Sequence, residues 1–234
     1  MTPREEETAR SIRRMFAAVA RRYDFLNHLL SFNTDRSWRR RTVERVSPIL
    51  CRPGARVLDL CCGTGDLMLA LEARRGSPVW GADFCHPMLL IARRKSPGCM
   101  LFEADALRLP LPDSSLDLVT AAFGFRNLAS YRGGLDQLLR VLRPGGMVAI
   151  LEFSQPPGRL FPALYGFYSR RILPLLGGAV SGCGGAYTYL PESVRRFPSA
   201  DELAGNMREA GFSDVSYERM TGGIVALHTG RRAR

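Results

Sequence analysis

The sequence predicts an α/β fold, in which a doubly wound, mostly parallel sheet ends in a C-terminal antiparallel hairpin. Three observations predict this fold. Short, nearly continuous apolar runs alternate with helical patterns through the middle of the chain, as buried parallel strands do. The first of these runs passes through glycines directly into a helical pattern. The last two runs are joined by Thr221-Gly222-Gly223, which is typical of an antiparallel pair.

The N-terminal part of the chain, residues 4–50, is predicted to be helical with basic faces and to end near Pro53-Gly54. Its aromatic residues predict either an amphipathic segment packed on the core or a flap that closes over a site. We therefore divide the chain of 234 residues into an N-terminal helical segment, 1–50, that covers the site, and a main domain, 51–234.

The main domain is predicted to alternate strands and helices until an insertion, rich in Pro, Gly and aromatic residues, at about 155–198. Pro87 suits the first turn of a helix and places His86, not Asp83, at its N-cap. The helix after the fourth strand is expected to stop at Arg143-Pro144-Gly145-Gly146. The predicted strands are 56–60, 79–83, 99–103, 116–122, 147–153, 213–219 and 224–229, and the predicted helices are 66–75, 87–95, 132–142 and 200–210.

The charge balance is strongly basic. The chain has 33 basic and 22 acidic residues, a net charge of +11, and Lys95 is its only lysine. Such an excess favours an anionic membrane surface or a nucleic acid as partner. Aromatic residues do not alternate with arginines as in a platform for stacking bases, so we expect no nucleic acid.

The N-terminus lacks the apolar segment of a signal peptide, and no apolar run reaches 18 residues, so the expected location is cytoplasmic. Six cysteines form no C-x-x-C pair and show no metal-ligand spacing with the three histidines. We therefore expect reduced thiols and no metal site. His28 and His86 are interpreted as structural, and His228 as a satisfied buried histidine.

The most informative stretch is Arg56–Asp66, where an apolar run meets glycines. Glycine lets the backbone approach a ligand closely, but Cys61 replaces the first glycine of the dinucleotide pattern G-x-G-x-x-G. Asp66 at the helix start would repel a pyrophosphate but not a cation. The pattern Asp59-x-Cys61-x-Gly63-x-Gly65 resembles the loop that binds S-adenosylmethionine, whose sulfonium is positive. The alternative is an ordinary strand-to-helix turn.

Acids follow the next two predicted strands. Asp83 ends the second strand, where an acid of a doubly wound fold accepts hydrogen bonds from ribose hydroxyls, and capping of the next helix is the alternative. Asp105 follows the third strand and could bind an adenine amino group or take part in proton transfer. A solvated loop acid is the alternative for Asp105.

The fourth strand is followed by Phe123-Gly124-Phe125-Arg126-Asn127, which therefore points at a substrate. An arginine beside a cationic donor would be repelled, so the position of Arg126 predicts an anionic group that it binds. The alternative is that Arg126 is a surface arginine. Four tyrosines crowd the insertion, at positions 165, 168, 187 and 189, and suit either a pocket for an apolar aromatic ligand or a loop-rich core.

Together these segments resemble the UbiE/MenG family of quinone-biosynthesis C-methyltransferases, from about Met15 to Gly230. The most specific matches are Phe123–Asn127, Tyr189-Leu-Pro-Glu-Ser193 and Ile224-Val-Ala-Leu-His228, in this order. Further matches are Tyr23–Asn27, Arg36–Arg39, Val57–Asp66, Arg140–Gly146, Leu151–Ser154 and Ala210–Phe212. Of these, the glycine loop and the Pro-Gly-Gly turn are common to many methyltransferases and are weakly specific.

The resemblance implies a Rossmann-like class I methyltransferase sheet, S-adenosylmethionine as methyl donor and a membrane-borne polyprenylated hydroquinone as acceptor, with the ring, benzoquinol or naphthoquinol, left open. Ala122 departs from the serine of many relatives, and Cys61-Cys62 departs from a frequent Ala-Gly. The expected cofactor-binding residues are Tyr23, Asp59, Cys61, Gly63, Thr64, Gly65, Asp83, Asp105, Ala106 and Ala122, and the expected catalytic residues are Arg126, Asn127 and Asp105.

In the expected mechanism a deprotonated hydroquinone attacks the sulfonium methyl from a ring carbon. Arginine keeps its proton in proteins, so Arg126 is expected to stabilise the quinolate, while water held by Asn127 and Asp105 removes the proton. Arginines of the N-terminal helices and Arg170-Arg171 could hold the protein peripherally on the anionic inner face of the membrane, and a soluble basic protein is the alternative. An oligomer is compatible with the sequence.

Two other functions agree with part of the sequence. One keeps the methyl donor and changes the acceptor to another small aromatic or a sterol-like lipid, against which the Phe123–Asn127 and Tyr189–Ser193 segments argue. The other is a non-catalytic nucleic-acid-binding protein on a degenerate methyltransferase fold. The net charge favours it, but the intact Gly63, Gly65, Asp83 and Asp105 oppose it.

Overall fold

The computed structural model describes residues 3–157 and 184–234. Two short 3-10 turns cover Phe125–Asn127 and Thr221–Gly223. The helices are α1 Pro3–Leu30, α2 Thr34–Leu50, α3 Asp66–Arg75, α4 His86–Lys95, α5 Tyr131–Val141, α6 Gly184–Arg196 and α7 Ala200–Glu209. The strands are β1 Val57–Leu60, β2 Trp80–Asp83, β3 Met100–Glu103, β4 Leu116–Ala122, β5 Leu142–Phe153, β6 Phe212–Met220 and β7 Val225–Arg232.

The strands form one seven-stranded sheet in the order β3-β2-β1-β4-β5-β7-β6. The first five strands are parallel, whereas β7 runs antiparallel to both β5 and β6. The strand order reverses between β1 and β4, and a doubly wound sheet binds its ligand at such a reversal, beyond the carboxyl ends of the strands. The predicted α/β fold with a C-terminal hairpin is confirmed.

Apolar side chains fill both faces of the sheet. Leu58 and Leu60 of β1 pack with α5 and α7, and Val57 of the same strand packs with α2 and α3 on the other face. This is the alternation that a strand produces, because successive side chains point to opposite faces. The nearly continuous apolar runs follow from burial on both faces.

Two element boundaries differ from the prediction. The helix before the fifth strand ends at Val141, and β5 already begins at Leu142, so the Pro144-Gly145-Gly146 segment lies within the strand. A register shift between Leu116 and Leu118 of β4 accommodates these residues. The N-cap of α4 is Cys85 and not His86, because the helix starts one residue earlier than Pro87 indicated.

The N-terminal helical segment consists of two helices. They meet at an elbow, where Phe32 and Asn33 have left-handed φ values of 51° and 60°. A left-handed residue ends an α-helix, which explains the break inside the segment that was predicted as helical throughout. None of the described helices is both long enough and apolar enough to cross a bilayer.

Most of the predicted insertion lies outside the described residues, and so do Tyr165, Tyr168 and Arg170-Arg171. Its described end forms α6, in which the side chain of Tyr189 is placed.

Candidate active site

The glycine loop is held by the strands beneath it. Asp59 on β1 is almost completely buried, accepts a hydrogen bond from Thr120 Oγ1 at 2.7 Å and accepts the backbone N–H of Met68 in the first turn of α3. Burial raises the pKa of Asp59 to about 7. The Asp59 side chain therefore ties the end of β1 to the start of α3 and fixes the loop between them.

The loop crosses the segment after β4 at very short range. A Cβ built on Gly124 would lie 2.3 Å from the Cβ of Cys61, so only glycine fits there. Cys61 and Phe123 both have left-handed φ values, 55° and 57°, although neither is glycine. Such strained backbone is characteristic of functional sites, where the surrounding structure imposes it.

Asp83 joins the loop to the end of β2. Its Oδ2 accepts the N–H of Gly63 at 2.9 Å and its Oδ1 accepts the N–H of Cys85 at 2.8 Å. Burial raises the pKa of Asp83 to about 6 despite these bonds. Each carboxylate oxygen can accept a second hydrogen bond. Asp83 thus retains the capacity to accept from a ligand.

A pocket that is partly open to solvent lies above these residues. α1 contributes Phe16 and Tyr23 to its wall. Eight of the predicted site residues line it together, namely Tyr23, Cys61, Gly63, Asp83, Asp105, Ala106, Ala122 and Asn127. Among the described residues in the lining there are two carboxylates and no cationic side chain.

Four other predicted site residues lie outside the lining. Asp59 is beneath the loop, and Gly65 is the N-cap of α3, where an added Cβ would lie 3.2 Å from that of Ala92. The Thr64 hydroxyl donates to Asp24 Oδ1 of α1 and so faces the N-terminal segment. Arg126 also lies outside, near the side chains of Glu152 and Phe153.

Two ion pairs of Lys95 hold α1 over the glycine loop. Lys95 lies 2.6 Å from Asp24 of α1 and 2.6 Å from Asp66 of α3. Asp24 accepts the Thr64 hydroxyl as well. The single lysine of the chain therefore bridges the cover and the glycine loop.

One group of described side chains has the spacing of a metal site, namely His28, Asp35 and Asp66. The Arg39 guanidinium contacts both carboxylates of this group, Asp66 at 3.3 Å and Asp35 more closely. His28 Nδ1 lies 2.7 Å from Asp35 Oδ2. Because a fixed cation already occupies the group, we assign it a structural role that joins α1, α2 and α3.

Arg126 is held by a buried acid that the sequence had not singled out. Glu152 of β5 accepts Arg126 Nη1 at 2.8 Å and its backbone N–H at 3.2 Å. The two residues are only 7% and 1% exposed. Burial alone would lower the pKa of Arg126, but the charge of Glu152 and nearby hydroxyls raise it, so the guanidinium stays charged. Its Nε has no acceptor among the described residues.

The side chain of Asn127 is bound by Tyr189, which the sequence analysis named only as one of four tyrosines in the insertion. The Tyr189 hydroxyl donates to Asn127 Oδ1 at 3.0 Å, so α6 reaches the end of β4. With Oδ1 engaged, the amide of Asn127 is left with its NH₂ group to donate. A tyrosine in an irregular segment and an acid in an apolar strand (Leu151-Glu152-Phe153) were the available signals for Tyr189 and Glu152.

The pocket fits S-adenosylmethionine. A Cβ added to Gly63 would meet nothing within 4 Å, so the Gly63 backbone borders open space in the lining. Asp83 has acceptor capacity for ribose hydroxyls, and an acidic lining suits a sulfonium. Ala122 presents a methyl group in this lining, so no hydroxyl is available there.

The chain resembles known proteins along most of its length. It is 52% identical over 223 residues to a protein of Thermus thermophilus named demethylmenaquinone methyltransferase, covering 93% of this chain and 100% of that protein. A protein of Geobacter sulfurreducens named ubiquinone/menaquinone biosynthesis C-methyltransferase UbiE is 45% identical over 236 residues, covering 97% of this chain and 90% of that one.

A solved structure shares the fold at low sequence identity. It is a SAM-dependent methyltransferase of Thermotoga maritima, described as a possible histamine N-methyltransferase, with a TM-score of 0.66 and 17% identity, covering 94% of this chain and 98% of that one. The model of the ubiE/COQ5 methyltransferase family matches residues 2–232. These findings confirm S-adenosylmethionine-dependent C-methylation in quinone biosynthesis as the activity of the family, and the chain belongs to the ubiE/COQ5 methyltransferase family.

Proposed function

We propose that this chain transfers the methyl group of S-adenosylmethionine to a ring carbon of a polyprenylated hydroquinone, with demethylmenaquinol as the acceptor. One observation carries the assignment of the acceptor side. The guanidinium of Arg126 is buried and charged, and its Nε has no partner among the described residues. The next residue in the chain, Asn127, lines the acidic pocket. The names of the relatives in Thermus thermophilus and Geobacter sulfurreducens favour a quinol over other aromatic acceptors.

On the donor side, the proposed roles follow from the lining. Asp83 accepts from the ribose hydroxyls, the Gly63 backbone lies along the ligand, and Ala106 borders the base. Bound there, S-adenosylmethionine supplies an electrophilic methyl group. The acidic wall favours the cationic donor, whose charge is lost when the methyl group leaves.

On the acceptor side, Arg126 is proposed to stabilise the oxyanion of the ionised hydroquinone. A preorganised cation in a buried site stabilises developing negative charge far better than water does. The ring carbon beside that oxyanion forms a bond to the methyl carbon while the carbon–sulfur bond breaks. The same ring carbon then loses its proton to water, which restores the aromatic ring as the quinolate, and the quinolate oxygen takes up a proton to give the hydroquinone.

The proton path is proposed to run through Asn127 and Asp105, both of which line the pocket. Asp105 Oδ1 accepts the N–H of Leu107 at 2.9 Å, which leaves the other carboxylate oxygen as an acceptor. The Asn127 NH₂ group donates, because Tyr189 occupies its Oδ1. A water between a donor and a carboxylate is oriented to receive the hydroxyl proton.

The test uses the purified protein with S-adenosylmethionine and two short-chain acceptors, a demethylated naphthoquinol and a demethylated benzoquinol. We expect a mass gain of one methyl group on the naphthoquinol ring. Arg126→Ala should reduce turnover by about two to three orders of magnitude, since it removes an oxyanion-stabilising group. The dissociation constant for S-adenosylmethionine should remain nearly unchanged in a calorimetric titration.

Absence of methylation on both rings, with the donor bound, would refute the proposed acceptor. An equal loss of donor affinity and turnover in Arg126→Ala would instead place this side chain at the donor. Asn127→Asp tests the role of the Asn127 amide. It replaces the donating NH₂ group with an acceptor and leaves the size of the side chain unchanged.

The proposal includes peripheral contact with an anionic membrane. A polyprenyl tail keeps the acceptor in the bilayer, so the protein must reach it from the surface. The net charge of +11 supports an anionic surface.

A further inference from the structure

Three large apolar side chains are exposed around the elbow between α1 and α2. Phe25, Leu29 and Phe32 are 60%, 43% and 76% exposed. They are three of the five large apolar residues that are exposed in the described part of the chain, the others being Leu90 and Met100. We name Phe25, Leu29 and Phe32 the apolar elbow.

The apolar character is confined to this end of α1. Phe25 and Leu29 are four residues apart and therefore share one helix face. Toward the N-terminus the same face continues with the exposed Ser11, Arg14 and Ala18, which lack large apolar groups. Phe32 follows in the left-handed turn at the end of the helix. The elbow is thus an apolar tip on an otherwise polar outer face.

Cations flank the tip. Arg36 and Arg40 are exposed and lie four residues apart on α2, one and two turns beyond the elbow. Within the described ranges, 3–157 and 184–234, neither arginine is ion-paired, in contrast to Arg39, which binds Asp35 and Asp66. Apolar side chains bordered by unpaired cations are typical of surfaces that bind at the headgroup level of an anionic bilayer.

The elbow is next to the pocket. Tyr23 lines the pocket, and Asp24 contacts the glycine loop through Thr64, so Phe25 follows directly on the residues that cover the site. A bilayer that touched the elbow would lie within a helix turn or two of the covering residues. A ligand with a long apolar tail then has a short path from the lipid to the site.

We infer that the apolar elbow is the membrane-contacting surface of this protein. Phe25, Leu29 and Phe32 enter the boundary between headgroups and acyl chains, while Arg36 and Arg40 contact lipid phosphates. The inference rests on the proposed function, since a bilayer-resident acceptor is what gives the contact its purpose. An anionic bilayer is favoured over a protein partner because the cations that flank the apolar tip on α2 have no ion pair in the described part of the chain.

The test is flotation of the full chain with phosphatidylcholine vesicles, with and without phosphatidylglycerol, at low and high salt. Combined Phe25→Ser, Leu29→Ser and Phe32→Ser should lower the vesicle partition coefficient on the order of 100-fold. The control Leu90→Ser removes an equally exposed leucine on α4 and should leave flotation unchanged. Circular dichroism establishes that each variant is folded.

A second pair of variants tests the cations without touching the apolar residues. Arg36→Gln with Arg40→Gln should lower partitioning by about fivefold for each arginine, and only on anionic vesicles. Its control is Arg52→Gln with Arg74→Gln. Arg52 follows the far end of α2, about 25 Å from the elbow at the rise of an α-helix.

Equal flotation of the wild type and the elbow variants would overturn the inference and leave a protein partner as the occupant of this surface. Loss of flotation in the Leu90→Ser control to the same degree would also overturn it. Methylation of a short-chain, water-soluble quinol separates the two proposals. The elbow variants should methylate it at the wild-type rate, whereas a wild type that methylates no quinol refutes the proposed function regardless of flotation.

Discussion

Glu152 accepts both the backbone N–H and the Nη1–H of Arg126, at 3.2 and 2.8 Å, and so fixes the main chain and the guanidinium of one residue together. The ring of Phe153 lies 5.2 Å from the same guanidinium carbon. The buried Glu152 carboxylate on β5 and the carbonyl of Phe123, which also accepts from Arg126 Nη1, therefore set where the cation after β4 points. We regard Glu152 as a positioning residue, because it acts through Arg126.

Glu152→Gln is expected to reduce turnover by at least about tenfold while the affinity for S-adenosylmethionine stays the same. The variant keeps an acceptor for the backbone but leaves the buried guanidinium without a counter-charge. Breaking such a pair costs about 3–5 kcal/mol in the free energy of unfolding. Urea unfolding and steady-state kinetics measure both effects.

The double variant Glu152→Gln with Arg126→Gln serves as the control for this prediction. It should be more stable than Glu152→Gln alone, because no unpaired charge remains buried. If the double variant loses as much stability as Glu152→Gln and Arg126→Gln do in sum, the two residues are not coupled.

The pKa of Asp83 predicts how donor affinity depends on pH. Its folded-state pKa is raised to about 6, so the carboxylate is ionised above this pH and becomes protonated as the pH falls through it. Ribose hydroxyls donate to the ionised form. The dissociation constant of S-adenosylmethionine should therefore be about tenfold higher one pH unit below the pKa than at neutral pH.

Asp83→Asn should bind the donor weakly at every pH. Its dissociation constant, measured by calorimetry, should no longer rise as the pH falls through about 6. If the dissociation constant of Asp83→Asn keeps the pH dependence of the wild type, the titration belongs to another group, such as Asp59, whose pKa is about 7.

The contact between Gly124 and Cys61 predicts a compensating pair of substitutions. Gly124→Ala would place its Cβ 2.3 Å from that of Cys61 and must displace the glycine loop, so we expect donor affinity to fall by at least about tenfold. Adding Cys61→Gly removes the opposing Cβ and suits the φ of 55° at that position. The double variant should bind the donor more tightly than Gly124→Ala.

Gly205→Ala is the matched control for that pair. An added Cβ meets nothing within 4 Å there, and the position lies inside α7, so the substitution should stabilise the protein by up to about 1 kcal/mol. Weak binding by the double variant, equal to that of Gly124→Ala, would show that the Cβ contact is not the cause.

His228 predicts acid sensitivity of the fold. Its Nε2 donates to the carbonyl of Ala200 at 2.8 Å, and burial lowers its pKa to about 4. Because the unfolded chain binds the proton more tightly, the neutral histidine loses its contribution to stability as the pH falls from about 6.5 toward 4. We expect a loss of about 2 kcal/mol between pH 7 and pH 5 from this residue.

Chemical unfolding of the wild type and His228→Gln at both pH values isolates this contribution. The variant should be less stable at neutral pH and less sensitive to acid. The same acid sensitivity in both proteins would show that other groups cause it.

Local patterns in the sequence determined the order of strands and helices, the glycine loop and the acids that follow β2 and β3. These features depend on residues that are close together in the sequence: on hydrophobic periodicity, on the backbone conformations open to glycine and on the residues that end each strand. They can therefore be predicted from the sequence. The break at Phe32 and the early start of β5 were missed, because a left-handed turn and a register shift depend on packing against distant elements.

The residues alone were enough to predict a doubly wound sheet with a glycine loop and an acid suited to a cationic nucleotide-like donor. Three contacts became visible only in the folded chain: Glu152 holds Arg126, Tyr189 orients the amide of Asn127, and Lys95 joins α1 to the glycine loop. Strand order and helix packing bring these pairs together. Their spacing along the chain, 26 residues between Arg126 and Glu152 and 62 between Asn127 and Tyr189, carries no periodic signal.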